Sequence, residues 1–433
     1  MSDASSKSLL GMYAKFAVAQ SADWIVRRFA LQAAARVLLP GNRVCDCCRK
    51  PVPGSATVEV WYSGEVQAAH YKRLQTCGGV WVCAVCAARI TERRRVELQA
   101  AVDNGRYRPV LVTLTVRHVV GDVLAAVLGG LLAAYREFTR SRAYKRLKRD
   151  YGIVGTVKAL EVTYGDNGWH PHLHLLVFLG PGVPVDGLEY RVREMWLSAV
   201  AAVGLDATWQ RGATVKDAWR WIAEYVAKWG HEPAWGVDRE VAKGNSKSGR
   251  VAGRSPTQLL ADFIDGDMQA GALWREYAAA FRGRSQLRWS KGLRDVLGLG
   301  VDKSDAELAA ETDENGSWLL AALTLNQWRA VLRAGLVGHV LAVAQSGDKA
   351  ALWEYLDSVP GMPVGSDYHP AFRSVGSLRV GDAVKWMSPA PGRGYVRELM
   401  HNRALVQVWG AESVRVWLDT ALLLRIVKDE RAE

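Results

Sequence analysis

The chain has 433 residues, of which 49% are hydrophobic and 23% charged, a globular composition that excludes a disordered or fibrous chain. Its formal net charge of +12 favours a polyanionic partner, nucleic acid or an acidic surface, without choosing between them. No run of about twenty apolar residues occurs, so no membrane span is expected, and the N-terminus lacks the basic start and apolar core of a secretory signal, so a cytoplasmic location is expected.

Residues 1–40 read as one or two amphipathic helices, ended by Pro40-Gly41. All six cysteines follow, between Cys45 and Cys86. In a reducing compartment such a local cluster reads as a metal site rather than a disulfide framework. Cys45-x-x-Cys48 and Cys83-x-x-Cys86 are two half-sites, and each spacing lets two thiolates point at one tetrahedral ion. A structural Zn2+ on Cys45, Cys48, Cys83 and Cys86 is therefore expected, with Cys77 and Cys47 as substitute ligands and His70 as a weaker one. The stretch between the half-sites alternates partly like a short hairpin. Arg49, Lys50, Arg89, Arg93, Arg94 and Arg95 lie close by, either as DNA contacts or as a solvated helix face.

Further along, TERRRVELQAAVDN reads as a helix, and RPVLVTLTVRH, 108–118, as a strand. Residues 122–150 read as one helix with a basic second half. Arg140, Arg142, Lys145, Arg146, Lys148 and Arg149 sit there as candidate phosphate contacts. Two strands around a turn follow at 152–180, then helices at 187–203 and 214–229. The basic Gly/Ser-rich stretch 243–256 reads as a loop and a second set of phosphate contacts. Ser255, Pro256 and Gln258 mark a helix start, with helices at 257–265, 269–281 and 292–296. A helical segment spans 304–357, and the last sixty residues alternate in short strands with Gly, Pro and Asn turns, a small β-barrel of SH3-like size. The expected division is a helical segment 1–40, a cysteine module 41–95, a central α+β domain 96–300, a helical segment 301–360 and a small barrel 370–433.

The stretch GWHPHLHLLVF, 168–178, carries three of the nine histidines. Side chains alternate along a strand, so His172 and His174 share a face. If Asn167-Gly168 forms a two-residue hairpin loop, Thr163 faces His172 and Glu161 faces His174. Two imidazoles and a carboxylate then converge, a set that suits Mg2+ or Mn2+ with open coordination positions. Its natural task is polarising a phosphoryl oxygen. His170 projects to the same side as a runner-up ligand. The stretch DAWRWIAEYVAKWG, 217–230, reads as an amphipathic helix offering Tyr225 as a nucleophile, with Lys228 one turn on to stabilise its phenolate.

These motifs together resemble the rolling-circle replication initiators (Rep) of the HUH endonuclease superfamily, the plasmid and phage type with a single catalytic tyrosine. LVTLT at 111–115 resembles the first strand motif, HPHLH at 170–174 the metal motif, EVT from Glu161 the third-ligand stretch and YVAKW at 225–229 the tyrosine motif. CGGVWVCAVC at 77–86 resembles the family's cysteine motif, and residues 274–298 its closing segment; the likeness covers about 45–298. The resemblance implies an α+β fold with a mainly antiparallel sheet and the histidine strand central. It also implies nicking of one strand at a double-strand origin. Tyr225 would attack to give a 5′-phosphotyrosine link and a free 3′-OH primer, a cation on His172, His174 and Glu161 would assist, and the strand would later be rejoined. A host helicase and polymerase are the implied partners, since the chain has no P-loop. Some relatives place a carboxylate one turn before the tyrosine; Trp221 stands there, and neither Glu224 nor Asp217 is assigned its role.

The rival readings are an HUH transposase or relaxase, which a paired tyrosine motif or a helicase region would favour, and a non-catalytic zinc DNA-binding regulator, which would leave the carboxylate–histidine hairpin idle. A zinc hydrolase would need a motif such as H-E-x-x-H, which is absent.

Overall fold

The computed structural model describes residues 23–217, 253–311 and 316–363, together with the backbone of strands within 383–425. The chain forms two units, 1–356 and 357–433.

The first unit begins with a helix over 23–38 (α1) and a 3-10 turn at Arg43–Cys45. Strands β1 (Thr57–Ser63) and β2 (Ala68–Lys72) form the hairpin between the cysteines. Helix α2 (Ala84–Asp103) starts at the second CxxC, with Cys83 as its N-cap. Then come β3 (Arg108–Thr115), α3 (Leu124–Arg140), α4 (Arg142–Asp150), β4 (Gly155–Gly165), β5 (Gly168–Leu179), α5 (Leu188–Ala202) and β6 (Ala213–Asp217). Helices Pro256–Ile264 and Met268–Ala280, β7 (Leu287–Trp289) and β8 (Ser317–Thr324) follow. Ser255 caps the helix Pro256–Ile264 as its sequence foretells, accepting from the Gln258 amide.

The main sheet is antiparallel, in the order β6-β3-β5-β4-β7, with the histidine strand β5 at its centre. Its two faces are packed differently. Leu176 and Phe178 lie on the histidine face, where they pack with Val157, Ala159 and the α2 residues Leu98, Ala101 and Val102. On the other face Tyr135 of α3 sits under the Lys158 ammonium, 5.1 Å from ring centroid to nitrogen. One end of the histidine face is thus filled by α2, and the histidines occupy the other end.

Five expectations are corrected, four of them in the first unit. The hairpin loop is Asp166-Asn167, with Gly165 paired to Gly168 and Glu161 to His172 rather than His174. Positive φ falls on Gly168 (+81°) and on neither loop residue, the pattern of a type I turn followed by a left-handed glycine rather than a type I′ turn. A Cβ at Gly168 would also meet the Val119 carbonyl oxygen at 3.0 Å, so glycine is required there on two counts. The slip is two residues, and an even slip keeps every side chain on its face.

Residues 122–150 are two helices. Ser141 is extended (ψ 149°), and its hydroxyl accepts from the Tyr144 amide as the N-cap of α4. The start of the expected helix 214–229 is the edge strand β6, whose outer rim is covered by α5. Arg193 Nε donates to Ala213 O (3.0 Å), and the Val215 amide donates to Glu189 Oε1 (3.5 Å). Such cover protects an open edge. The expected helical segment 304–357 contains β8, which pairs along the whole of β1 and completes a sheet in the order β2-β1-β8. SWLLAALT is an apolar run whose periodicity does not separate helix from buried strand. A short helix, Asp305–Ala310, precedes β8, and helix resumes at Leu325, after a Thr324–Gln327 capping box.

In the second unit, β9 (Ala383–Trp386), β10 (Gly392–Met400), β11 (Arg403–Val408), β12 (Arg415–Asp419) and β13 (Leu424–Arg425) form an antiparallel sheet. Its order is β12-β11-β10-β9-β13, and the outer strands do not pair among the described residues, so the expected closed barrel is here an open sheet.

Candidate metal centres and active site

Four buried cysteines converge in the first centre: Cys47, Cys77, Cys83 and Cys86. Cys47 Sγ lies 3.7 Å from Cys83 Sγ and 3.4 Å from Cys86 Sγ, and Cys77 Sγ lies 3.7 Å from Cys86 Sγ. Four sulfurs at Zn–S distances of about 2.3 Å in a tetrahedron stand about 3.8 Å apart, so the set fits a closed tetrahedral ion. N–H donors already face the sulfurs. Gln32 Nε2 of α1 donates to Cys83 Sγ (3.2 Å), the Gly79 amide to Cys77 Sγ (3.4 Å) and the Cys86 amide to Cys83 Sγ (3.5 Å). Burial pushes the Cys83 thiol well up, whereas contacts from Cys47, Cys77 and Cys83 hold Cys86 far below the usual thiol range. Several buried thiolates so close together require a cation to neutralise them.

Of the four cysteines expected as ligands, the structure brings Cys83 and Cys86 into the cluster and leaves Cys45 and Cys48 outside it. The 3-10 turn aims Cys45 Sγ back at the Leu39 carbonyl oxygen (3.5 Å). Cys48 adopts a left-handed φ of +53°, its amide donates to Gln75 O (2.8 Å), and its sulfur stays outside the four-sulfur group. Cys47, between them, joins the cluster in their place.

The second centre lies on the histidine face. Glu161 Oε2 is 3.1 Å from His172 Nε2 and 3.2 Å from His174 Nε2. The histidine side chains are 13% and 15% exposed and the carboxylate 40%, so the centre is recessed but reachable. Burial alone would raise the Glu161 carboxyl; the His174 charge and the hydrogen bonds from His172 and His174 outweigh it and hold the group well below the usual range. Burial likewise opposes charge on His172, and the bond to Glu161 reverses the balance, so His172 is raised. This is a site with one fixed negative charge, two imidazole nitrogen donors and an open side, the donor set of a cation with exchangeable positions.

Each ring is oriented from behind. His172 Nδ1 faces the His170 carbonyl oxygen (3.2 Å), which can only accept, so Nδ1 keeps its proton and it is Nε2 that can give up a proton and offer its lone pair to the centre. His174 Nδ1 lies 3.0 Å from Thr113 Oγ1, on the neighbouring strand. Thr113 was not foreseen as a site residue; its signal is a polar side chain at a strand position whose register partner is His174. Thr113→Val is expected to weaken cation binding by about 10- to 100-fold, the usual effect of losing such a partner, read from a Mn2+ titration.

Tyr225 and Lys228 lie outside the described residues, as do Trp221, Glu224, the side chain of Asp217 and most of the loop 243–254. Arg140, Arg142, Lys145, Arg146, Lys148 and Arg149 are all exposed at and beyond the α3–α4 break. His170 faces the same side as the centre but turns its Nδ1 to His118 Nε2 (3.0 Å). His70 sits in β2, opposite Trp61, and is not among the four-cysteine group.

A carboxylate and two histidines converge on adjacent strands of an antiparallel sheet, in a chain that also gathers four cysteines, and each group could hold a metal ion. Comparison with known proteins gives its family. The replication protein family matches residues 71–199, which span the second CxxC and the histidine strand. The chain is 30% identical over 356 residues to "Protein rep" of Streptomyces lividans, an alignment covering 64% of this chain and 76% of that protein. It is also 30% identical over 135 residues to the "Neomycin resistance protein" of Streptomyces cyanogenus, covering 25% of this chain and 31% of that one. No solved structure matches it. The chain belongs to the Rep family of plasmid replication initiators, proteins whose partner is DNA. Among the described residues no helix is long and apolar enough to cross a membrane.

Proposed function

We propose that this initiator starts rolling-circle replication by nicking one strand of a plasmid double-strand origin and later rejoining it. The observation that carries the reading is the approach of both histidine Nε2 atoms to one carboxylate oxygen, at 3.1 and 3.2 Å, on an accessible sheet face. A Mg2+ or Mn2+ ion held by Glu161, His172 and His174 would supply polarisation of the scissile phosphoryl oxygen. The Tyr225 oxygen attacks phosphorus as the bond to the 3′ oxygen breaks. The products are a phosphotyrosine at the 5′ end and a 3′-OH that takes up a proton and serves as primer. Lys228, three residues after Tyr225 in the sequence, steadies the phenolate. The exposed cations from Arg140 to Arg149 hold the duplex through its phosphates, in a salt-dependent and sequence-blind way. Zn2+ on the four cysteines has a structural task. With no P-loop in the chain, unwinding and synthesis fall to a host helicase and polymerase in the cytoplasm.

The test is nicking of supercoiled plasmid carrying the cognate origin, with Mn2+ or Mg2+, resolved on a denaturing gel. Wild type is expected to give a cation-dependent protein–DNA adduct, and Tyr225→Phe none. An adduct that persists in Tyr225→Phe would move the nucleophile to another residue. Binding without any nicking would favour the zinc-bearing regulator instead.

A further inference from the structure

Four imidazoles form a row on the histidine face. Ring centroids are separated by 4.7 Å for His174–His172, 5.3 Å for His172–His170 and 4.7 Å for His170–His118. The first two belong to the metal centre. The last two carry the row outward to the loop 116–123 that follows β3.

That loop is braced on every side. One of the facing His118 and His170 ring nitrogens donates to the other, at 3.0 Å. Asp122 Oδ2 accepts from the Val119 amide (2.8 Å), and the Asp122 amide donates to Val119 O (3.2 Å). Gly168 at the β4–β5 turn packs against the Val119 and Val120 backbone. Behind it, Glu276 takes the Leu124 amide (2.8 Å) and the Trp169 indole N–H (2.9 Å) on its two oxygens. Yet the loop turns apolar side chains outward: Val119 is 55% exposed, Val120 64% and Val123 59%. Single exposed valines are ordinary, but three within five positions on an ordered turn make a patch that calls for an occupant.

We propose that this loop is a strand-separating wedge. The nucleotides next to the scissile phosphate run along His172, His170 and His118, and Val119 and Val120 insert against the bases and hold them unpaired. The inference rests on the nicking reading above, which places the scissile phosphate at Glu161, His172 and His174. The occupant is DNA because the row is continuous with that cradle. Apolar side chains driven between base steps are a general means of unstacking a duplex. The rigidity of the loop is what lets it push: a mobile loop would yield instead of separating the bases.

The experiment is permanganate footprinting of a supercoiled plasmid bearing the cognate origin, with no Mg2+ or Mn2+ added and no chelator, so that nicking does not intervene and the cysteine module keeps its metal. It compares wild type, Tyr225→Phe and the double variant Val119→Ser/Val120→Ser. Both valines are exposed, so the double variant is expected to fold, which its melting curve checks. Wild type and Tyr225→Phe are expected to make the same origin thymines reactive. The double variant should show at least a tenfold lower signal, with duplex binding within threefold of wild type in a gel shift. With Mn2+ present, it should cleave a single-stranded origin oligonucleotide within threefold of wild type. Wild-type reactivity in the double variant would overturn the wedge, and so would equal losses on single-stranded and supercoiled DNA. Binding by wild type with no reactive thymine would overturn it too. Cleavage that survives in Tyr225→Phe would remove the nucleophile assignment and leave the wedge standing, so the two readings fail separately.

Discussion

Cys83→Ser is expected to release the bound metal and to unfold the cysteine module, whereas Cys45→Ser is expected to keep both. A closed zinc site of four thiolates is worth about 10–16 kcal/mol of apparent binding free energy. A whole domain is stable by only about 5–15 kcal/mol, so the module does not survive loss of the ion. The damage would spread, because Cys83 caps α2 and α2 carries Leu98, Ala101 and Val102 into the core of the main sheet. It would also free the chain that returns from the far end of the unit. Asp305 pairs with the largely buried Arg94 (2.7 Å), Glu311 pairs with Arg93 (2.9 Å), and Gly78, next to Cys77, packs against Ala306. The measurement is zinc content per chain and the melting midpoint for all six single serine variants. Wild type and Cys45→Ser should hold about one zinc. Cys47→Ser, Cys77→Ser, Cys83→Ser and Cys86→Ser should hold none and melt about 10 °C lower or more. Cys48→Ser separates the two ligand sets most sharply. Retained zinc there, with loss in Cys47→Ser, supports the cluster of the structure; the reverse result would restore the paired-knuckle set.

What the sequence discloses and what it hides follow one physical division. Parity along a strand is local, so the shared face of His172, His174 and Glu161 is legible in the residues alone, and it survives a register error because that error is two residues, not one. Register itself depends on the turn. There the Asn-Gly signal misleads, because Gly168 is needed for a left-handed φ and for the close approach of Val119, not as a loop residue. The ligand sets divide in the same way. Cys83-x-x-Cys86 opens a helix, and helical geometry fixes where both sulfurs point. Cys45-x-x-Cys48 lies in irregular chain, where one 3-10 turn and one left-handed residue redirect two sulfurs that the spacing alone had paired. Long-range partners are the least legible. β8 is a strand only because β1 offers its edge, and β6 only because β3 does. The partner of His174 behind the metal centre, Thr113, follows from the β3–β5 register, which the sequence leaves open.

Glu161→Gln is expected to abolish tight cation binding at the histidine centre and to slow nicking by about a thousandfold or more. The carboxylate is the single anionic donor of the set, and Lewis-acid assistance of the kind proposed is worth several kcal/mol, at about 1.4 kcal/mol per tenfold. The amide keeps the shape and one oxygen, so a loss would be electrostatic and not steric. The pH dependence supplies an independent check. In the cation-free protein burial disfavours charge on His172, but its bond to Glu161 and the charge there raise it above its ordinary value of 6.5. A proton on His172 therefore adds stability that is fully present below that ordinary value and is lost as pH rises through the raised one. A cation must displace the same proton from Nε2. Mn2+ affinity should then climb with pH until His172 is neutral and level off above that point, while Glu161, held well below the usual carboxyl range, stays ionised throughout. In Glu161→Gln the group that chiefly raised His172 is gone, and burial is opposed only by the hydrogen bond to the His170 carbonyl. The midpoint of the pH dependence should move down even as the affinity falls, a pair of changes that general destabilisation of the sheet would not produce. Calorimetric titration of Mn2+ across pH, in wild type and variant, reads both. Wild-type affinity with an unmoved midpoint would place the cation away from Glu161.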